Sequence, residues 1–375
     1  MRLVSAPVAG STPRARIDLS ALAHNYREVA RLVRGGTRVL AMVKADAYGH
    51  GARRVAQRLA GLGCRHFGVA TLEEAAELAG LGAPASVVVF GGILPDEAAR
   101  AAEIGAEVVV FDWEVTQALA QAARALGRTV PVHIKIDTGM RRLGIEVRHA
   151  REFAARIAAL EGVKPVALCS HFAMAESVTT EVTRGQLEAL LEAARQVESI
   201  LGRLPLHLAN SAAIMTRPET HLDMVRPGLM LYGLLPDPAL AGRASLQPVM
   251  TFEAPVVRTA MLGPGVGIGY GHTFRTQREM AVATLRCGYA DGYPRALSNS
   301  GEAWLAGRRC RVVGRVCMDH TMIDVTGLPV RVGDRAVLWG KQLDAGEVAA
   351  RAGTIPYELV VRVGSRVERV YEEEP

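Results

Sequence analysis

Lysine is the scarcest charged residue in the chain. The 375 residues include only Lys44, Lys135, Lys164 and Lys341, so forty of the 44 basic residues are arginines. Where arginine is the default cation, a lysine ending a buried strand is better explained by its amine chemistry than by its charge. Cysteine is also sparse: Cys64, Cys169, Cys287, Cys310 and Cys317 are odd in number, scattered, and free of any CxxC pair. That excludes a disulfide framework and a zinc knuckle. No HxH or HExxH spacing occurs, so His133, His171 and His207 make a weak metal set. No apolar run approaches the ~18 residues of a membrane span. The opening MRLVSAPVAGSTP has one arginine and no apolar core, which argues against a secretory leader and for a frayed tail on a cytoplasmic protein. Net charge is +6, but the arginines are interleaved with Glu and Asp. This pattern suits small anions better than nucleic acid.

What is present is enough core for two domains, with 49% hydrophobic residues. RARIDL at residues 14 to 19 alternates like a strand, and Ser20 is placed to cap a helix with Leu22, Tyr26, Val29, Ala30 and Val33 on its apolar face. Apolar strand-like runs then recur at 39, 66, 86, 107, 130, 166, 204 and 223, with amphipathic helical patterns between them. Eight strands alternating with helices predict an α/β fold with an N-terminal parallel (β/α)8 barrel. The clearest helix follows Asp112, with Val115, Ala118, Leu119, Ala122 and Leu126 on one face. After about Gly242 the helical period fades and Gly and Pro punctuate short β-rich runs, of which only Leu343 to Ala352 looks helical. The expected division is a barrel over 14–242 and a mostly β domain over 243–375, with residues 14–19 free to pair with the latter.

The first barrel run ends in RVLAMVKADAYGHG, so Lys44 stands at a strand's C-terminal end, where barrel sites lie. The seventh run leads to Asn210 and Ser211, the eighth to Arg226-Pro227-Gly228-Leu229. A hydroxyl and backbone N–H groups at a glycine make a phosphate cradle. A lysine facing such a cradle suits pyridoxal phosphate. Arg226 then narrows the chemistry. A guanidinium cannot accept a proton, so beside the cofactor's pyridine nitrogen it leaves that nitrogen unprotonated and the electron sink weak. A weak sink favours removing a Cα proton and returning it at once, which is racemisation rather than transamination. Inversion needs a base on each face, and Lys44 can be one.

The run VKADAYGHG resembles the cofactor-lysine motif of the bacterial alanine racemases, and IDTGMRRLG, SHF, NS, RPG, GYG, GYADGYPR, VCMD and PYE extend the likeness over nearly the whole chain. The resemblance implies interconversion of L- and D-alanine, supplying D-alanine for peptidoglycan, by a head-to-tail homodimer with shared active sites. It implies Lys44 and Tyr270 as the two bases and Arg226 on the pyridine nitrogen. A tyrosine of ordinary pKa, ~10, needs help to act as a base, and His171 can link Tyr270 to Arg226. It places Tyr48, Ser211, Gly228, Leu229 and Tyr357 around the phosphate, Arg142 on the cofactor's phenolic oxygen, Met318 with Arg142 near the substrate carboxylate, and Tyr289 along the access corridor. It also implies a carbamylated Lys135 holding Arg142, where the plainer reading pairs Lys135 with Asp137. Cys317 reads as a small core residue. The sequence departs from the family at the first arginine of GMRRLG, Arg141, where a glycine is usual, and in SHFAMAES, which leaves the loop around Ser177 less defined. Serine or another small amino acid as substrate stays open, as does a barrel-type decarboxylase, which would place an acid where Arg226 stands.

Overall fold

The computed structural model describes residues 12–80, 85–177 and 181–373. The N-terminal stretch read as a tail lies, up to residue 11, outside the described residues. No described helix is long and apolar enough to cross a membrane. The chain forms two compact units. One comprises Ala23–Leu231 and Leu235–Leu246, and the other the described residues up to Leu22, Tyr232–Leu234 and those from Gln247 on.

The first unit is the barrel. Its strands are β1 (Arg38–Met42), β2 (His66–Val69), β3 (Ser86–Val89), β4 (Glu107–Val110), β5 (Val130–Asp137), β6 (Val163–Cys169), β7 (Leu206–His207) and β8 (Met224–Val225). Each pairs in parallel with the next, and Met224 and Val225 of β8 pair with Arg38 and Val39 of β1, which closes the ring. Unbroken Val, Leu and Ile runs suit strands covered on both faces, and Leu40, Val88, Val108, Val132 and Leu168 are fully buried. β7 and β8 are only two residues each: Pro205, lacking an N–H donor, precedes β7, Pro227 follows Arg226 just beyond β8, and the chain turns into loops. Asp112 caps the helix Trp113–Ala125, its carboxylate accepting from the Val115 N–H at 3.0 Å. The buried face is Thr116, Leu119, Ala120 and Ala123 rather than the stripe through Val115 and Leu126. Small residues win because the helix backbone lies close to its neighbour: a Cβ on Gly162 would sit 2.3 Å from the Ala120 carbonyl oxygen.

The second unit is mostly β. Arg14–Asp18 pairs antiparallel with Met250–Leu262 and parallel with Glu368–Glu372. The structural division therefore differs from the compositional one: the described residues up to Leu22 belong with the β unit, and Leu235–Leu246 stay with the barrel. Asp18, not Ser20, caps the helix that begins at Leu19, its Oδ1 accepting from Ser20 N at 3.0 Å and Ala21 N at 2.8 Å. Besides the expected helix, Ala345–Arg351, a second one, Pro356–Val361, opens on a proline at its first turn.

Candidate active site

Lys44 lies one residue beyond β1, after Val43, and the four residues after it, Ala45, Asp46, Ala47 and Tyr48, all adopt left-handed backbone with φ between 51° and 56°. Each such residue costs roughly 1–2 kcal/mol when it is not glycine, so the turn must be held from outside. Glu74, on the helix Leu72–Glu77, holds it: Oε1 accepts from the Ala45 N–H and Oε2 from the Ala70 N–H, both at 2.7 Å. Asp46 closes the far end, its Oδ1 accepting from Ala52 N at 2.8 Å, while the buried His50 ring lies 3.0 and 2.9 Å from the Ala47 and Tyr48 carbonyls. Lys44 and Tyr48 thus leave β1 in fixed directions. Burial pushes the Lys44 amine below the ordinary lysine range, the cations Arg142 and Arg226 push further, and Glu74 opposes them. Sequence reasoning missed Glu74. TLEE reads as a capping box, and Thr71 does cap the helix, but the Glu74 carboxylate is spent on the Lys44 loop instead.

At the barrel mouth, Ser211 meets the backbone at Gly228. Asn210 caps the helix Ser211–Thr216, and the Ser211 hydroxyl accepts from Gly228 N at 3.0 Å and Met230 N at 3.3 Å. A Cβ on Gly228 would lie 2.5 Å from the Tyr48 hydroxyl, so Tyr48, Ser211 and the backbone at Gly228 and Leu229 converge on one spot. The Met42 N–H donates to the Pro227 carbonyl at 3.0 Å, tying this loop to the strand that carries Lys44.

Arg226 is buried at the end of β8. Its guanidinium donates to the Ser170 and Leu208 carbonyls at 2.6 and 3.1 Å and to His207 Nδ1 at 2.7 Å, and Nη2 stands 3.3 Å from His171 Nδ1. Burial pushes its pKa down to about 10, which leaves it a cation at neutral pH. Burial, with the Arg226 charge added, holds His171 and His207 well below the ordinary histidine range. His207 and His133 are hydrogen-bonded to each other at 2.8 Å, and among the described residues no group of three or more ligand side chains could hold a metal. Lys135 is buried inside β5 beside Cys169, and burial lowers its pKa. It does not pair with Asp137, whose Oδ1 accepts from Gly139 N at 2.8 Å and Arg141 N at 3.1 Å. Arg142 sits exposed on the following loop. The SHFAMAES loop is fastened by Arg217, which donates to the Ser177 carbonyl at 2.9 Å, and residues 178–180 lie outside the described residues.

In the β unit, Tyr270 stands on a single turn, Tyr270–His272, between the paired strands Gly267–Ile268 and Phe274–Arg275. It is 71% exposed and lines a cleft of about 590 Å³ with Arg258, Cys317 and His320. Cys317 is therefore no core residue: it is half-buried at this cleft. Tyr289 N and Ala290 N donate to the Cys317 and Met318 carbonyls, both at 3.1 Å, which brings exposed Tyr289 and Met318 onto adjoining loops. Arg366 clamps those loops by bonding Asp291 and Asp319. Tyr357 lies on the helix Pro356–Val361.

A closed parallel barrel with an amine, a hydroxyl beside glycine backbone N–H groups and a buried guanidinium at its strand ends defines a barrel enzyme, accompanied by a β unit bearing an exposed tyrosine. Its two halves match the family models for the alanine racemase N-terminal domain, over residues 17–236, and C-terminal domain, over residues 249–371. The alanine racemase of Desulfovibrio desulfuricans is 42% identical over 362 residues, 96% of this chain and 98% of that one. That of Symbiobacterium thermophilum is 41% identical over 364 residues, 95% of this chain and 96% of its own. The crystal structure of alanine racemase from Streptomyces lavendulae superposes with a TM-score of 0.93 at 34% identity, covering 99% of each chain. The alanine racemase of Bartonella henselae, solved with covalently bound pyridoxal phosphate, matches with a TM-score of 0.88 at 31% identity over 96% of this chain and 100% of that one. The chain belongs to the alanine racemase family, a family of isomerases.

Proposed function

We propose that the chain interconverts L- and D-alanine with pyridoxal phosphate on Lys44, Lys44 and Tyr270 serving as the two bases. The observation that carries this reading is the convergence of Lys44, the Ser211/Gly228 cradle and Arg226 at neighbouring strand ends of one barrel. These residues fit the cofactor on their own chemistry. A burial-lowered lysine is more often neutral and able to attack a carbonyl, the cradle at Gly228 has no room for a Cβ, and Arg226 offers only N–H groups to a ring nitrogen. Tyr48, Ser211, Gly228, Leu229 and Tyr357 would hold the phosphate, His171 would lie behind the ring, and Arg142 would reach the phenolic oxygen.

When bound, the cofactor supplies an electron sink that acidifies the substrate's Cα–H. Lys44 Nζ holds or releases a proton on one face and Tyr270 Oη on the other. Arg226 keeps its proton at neutral pH, so it cannot deepen the sink by donating it, and the Cα proton is replaced without transamination. An acidic residue there would favour a decarboxylase or transaminase, and the chain has none at that position. Arg142 and Met318 would meet the substrate carboxylate, and Tyr289 would line the access corridor.

Exposure of Tyr270, Met318 and Tyr289 supports a head-to-tail homodimer in which each β unit completes the partner's barrel. Lys135 is buried without an ion pair among the described residues, which supports its conversion by carbon dioxide to a carbamate that holds Arg142. Five free cysteines suit a reducing cytoplasm, where the D-alanine would feed peptidoglycan synthesis. The test is purified protein with added pyridoxal phosphate on a panel of L-amino acids, D-isomers being measured by chiral chromatography. Alanine should racemise fastest, with serine the nearest rival. Carbon dioxide release without a D-amino acid would overturn the proposal.

A further inference from the structure

The guanidinium of Arg226 is buried, yet no carboxylate forms an ion pair with it among the described residues. A buried cation without an anion is expensive. The nearest compensating charge is reached through a chain: Arg226 Nη1 to His207 Nδ1 at 2.7 Å, His207 Nε2 to His133 Nδ1 at 2.8 Å, and His133 Nε2 to Glu107 Oε2 at 2.7 Å. Both imidazoles are buried, and each is edge-on to Phe90. The ends of the chain dictate its middle. A guanidinium only donates, so His207 Nδ1 must accept, and the ring's one proton must sit on Nε2. That N–H donates to His133 Nδ1, which therefore also carries its proton on Nε2, pointed at a carboxylate that only accepts. Any other arrangement sets two donors or two acceptors against each other.

We infer that Glu107 and His133 are positioning residues for Arg226: through His207 they supply its counter-charge and fix the plane of its guanidinium by one directed run of hydrogen bonds with both histidines neutral. The inference rests on the racemase reading for its purpose, since a fixed, permanently charged Arg226 is what holds the ring nitrogen unprotonated. It does not rest on that reading for its geometry. Other titratable groups near the run are His66 beside Glu107 and His133, and Arg38 and Lys135 near His207, all cationic when charged, and Cys169 beside Arg226, whose thiol burial pushes up. Glu107 is thus the anion of this cluster.

The test reads the tautomers directly, on cofactor-free protein with ¹⁵N-histidine labels and the two rings assigned by His133→Gln and His207→Gln. In the wild type at about pH 7.5, both rings should show protonated Nε2 and bare Nδ1. Glu107→Leu removes the terminal acceptor while Arg226 still holds His207 Nδ1 as an acceptor, so the tautomers should stay and the His133 Nε2–H, left without a partner, should move upfield in the proton dimension. Glu107→Gln keeps an acceptor oxygen and should keep the wild-type tautomers. With cofactor, Glu107→Leu should lower kcat at least about tenfold with KM for alanine within about threefold, and Glu107→Gln should recover most of that loss. A proton on Nδ1 of either ring in the wild type, or an unmoved His133 Nε2–H resonance in Glu107→Leu, overturns the inference whether or not the protein racemises alanine. Should Glu107→Leu fail to fold, the wild-type spectrum and Glu107→Gln still decide it.

Discussion

Replacing Gly228 with alanine probes the phosphate cradle at its tightest point. The new Cβ would lie 2.5 Å from the Tyr48 hydroxyl and 3.1 Å from its Cζ, against ordinary contact at ~3.4 Å or more. Tyr48 is buried and sits on the left-handed turn that Glu74 and Asp46 pin, so it cannot swing aside without loosening the Lys44 loop. Overpacking of this kind costs about 1–3 kcal/mol. Taken as loss of cofactor binding, about 2 kcal/mol is a ~30-fold weaker Kd, and taken as stability it is a drop of several degrees in Tm. Equilibrium dialysis with pyridoxal phosphate and thermal melting of the apo protein separate the two. Tyr48→Phe removes the atom at 2.5 Å, so the double variant should bind better than the sum of the single effects allows, with a coupling of about 1 kcal/mol. A Kd within twofold of wild type for Gly228→Ala, or strict additivity in the double variant, would refute the claim that Tyr48 and Gly228 form one cradle.

Three further outcomes follow from the same geometry. Borohydride reduction of the cofactor-loaded protein and peptide mapping should place the pyridoxyl group on the peptide holding Lys44, and labelling of Lys135 instead would relocate the site. His207 is neutral when folded and takes a proton at ~6.5 when unfolded. Its share of stability is thus complete above that pH and falls as pH drops, by about 1.4 kcal/mol between pH 7.5 and 5.5. His207→Phe should flatten the urea-unfolding profile by that amount, and an unchanged pH slope would mean that His207 is charged in the fold. Arg226→Glu puts an acceptor where only donors stood. Racemisation should slow by roughly 10²-fold or more while pyruvate from transamination rises, and an unaltered product ratio would sink the argument from a weak electron sink.

Much of this was legible beforehand, for reasons that individual elements make plain. Unbroken apolar runs such as Val108–Val110 mark parallel strands because both faces are covered, and Lys44 stood out because it ends one of them in a chain almost devoid of lysine. The helix after Asp112 was readable because its start is set locally, whereas Ser20, placed to cap the first helix, lost that role to Asp18 two residues earlier. What escaped was set by distant partners. Nothing in ADAY announces four left-handed residues, since the force that holds them comes from Glu74, 29 residues further on. The Glu107–His133–His207–Arg226 run is assembled from residues on or just beyond four strands, and its two histidines read singly as part of a weak metal set. The strand Arg14–Asp18 reads as a strand, but its sheet partners, some 230 and 350 residues away, decide which unit it joins.

The most direct test of the account is complementation between Lys44→Ala and Tyr270→Ala. Each variant should be nearly inactive alone. If the two bases meet only across a dimer, co-expressing the variants with different tags creates mixed dimers. One site in each collects both lesions, and the other receives an intact Lys44 and an intact Tyr270. Random mixing makes about half the dimers mixed with one good site of two, so roughly a quarter of wild-type activity should return. No recovery in a sample whose mixed dimers are confirmed by tandem tag purification would contradict the shared two-base site.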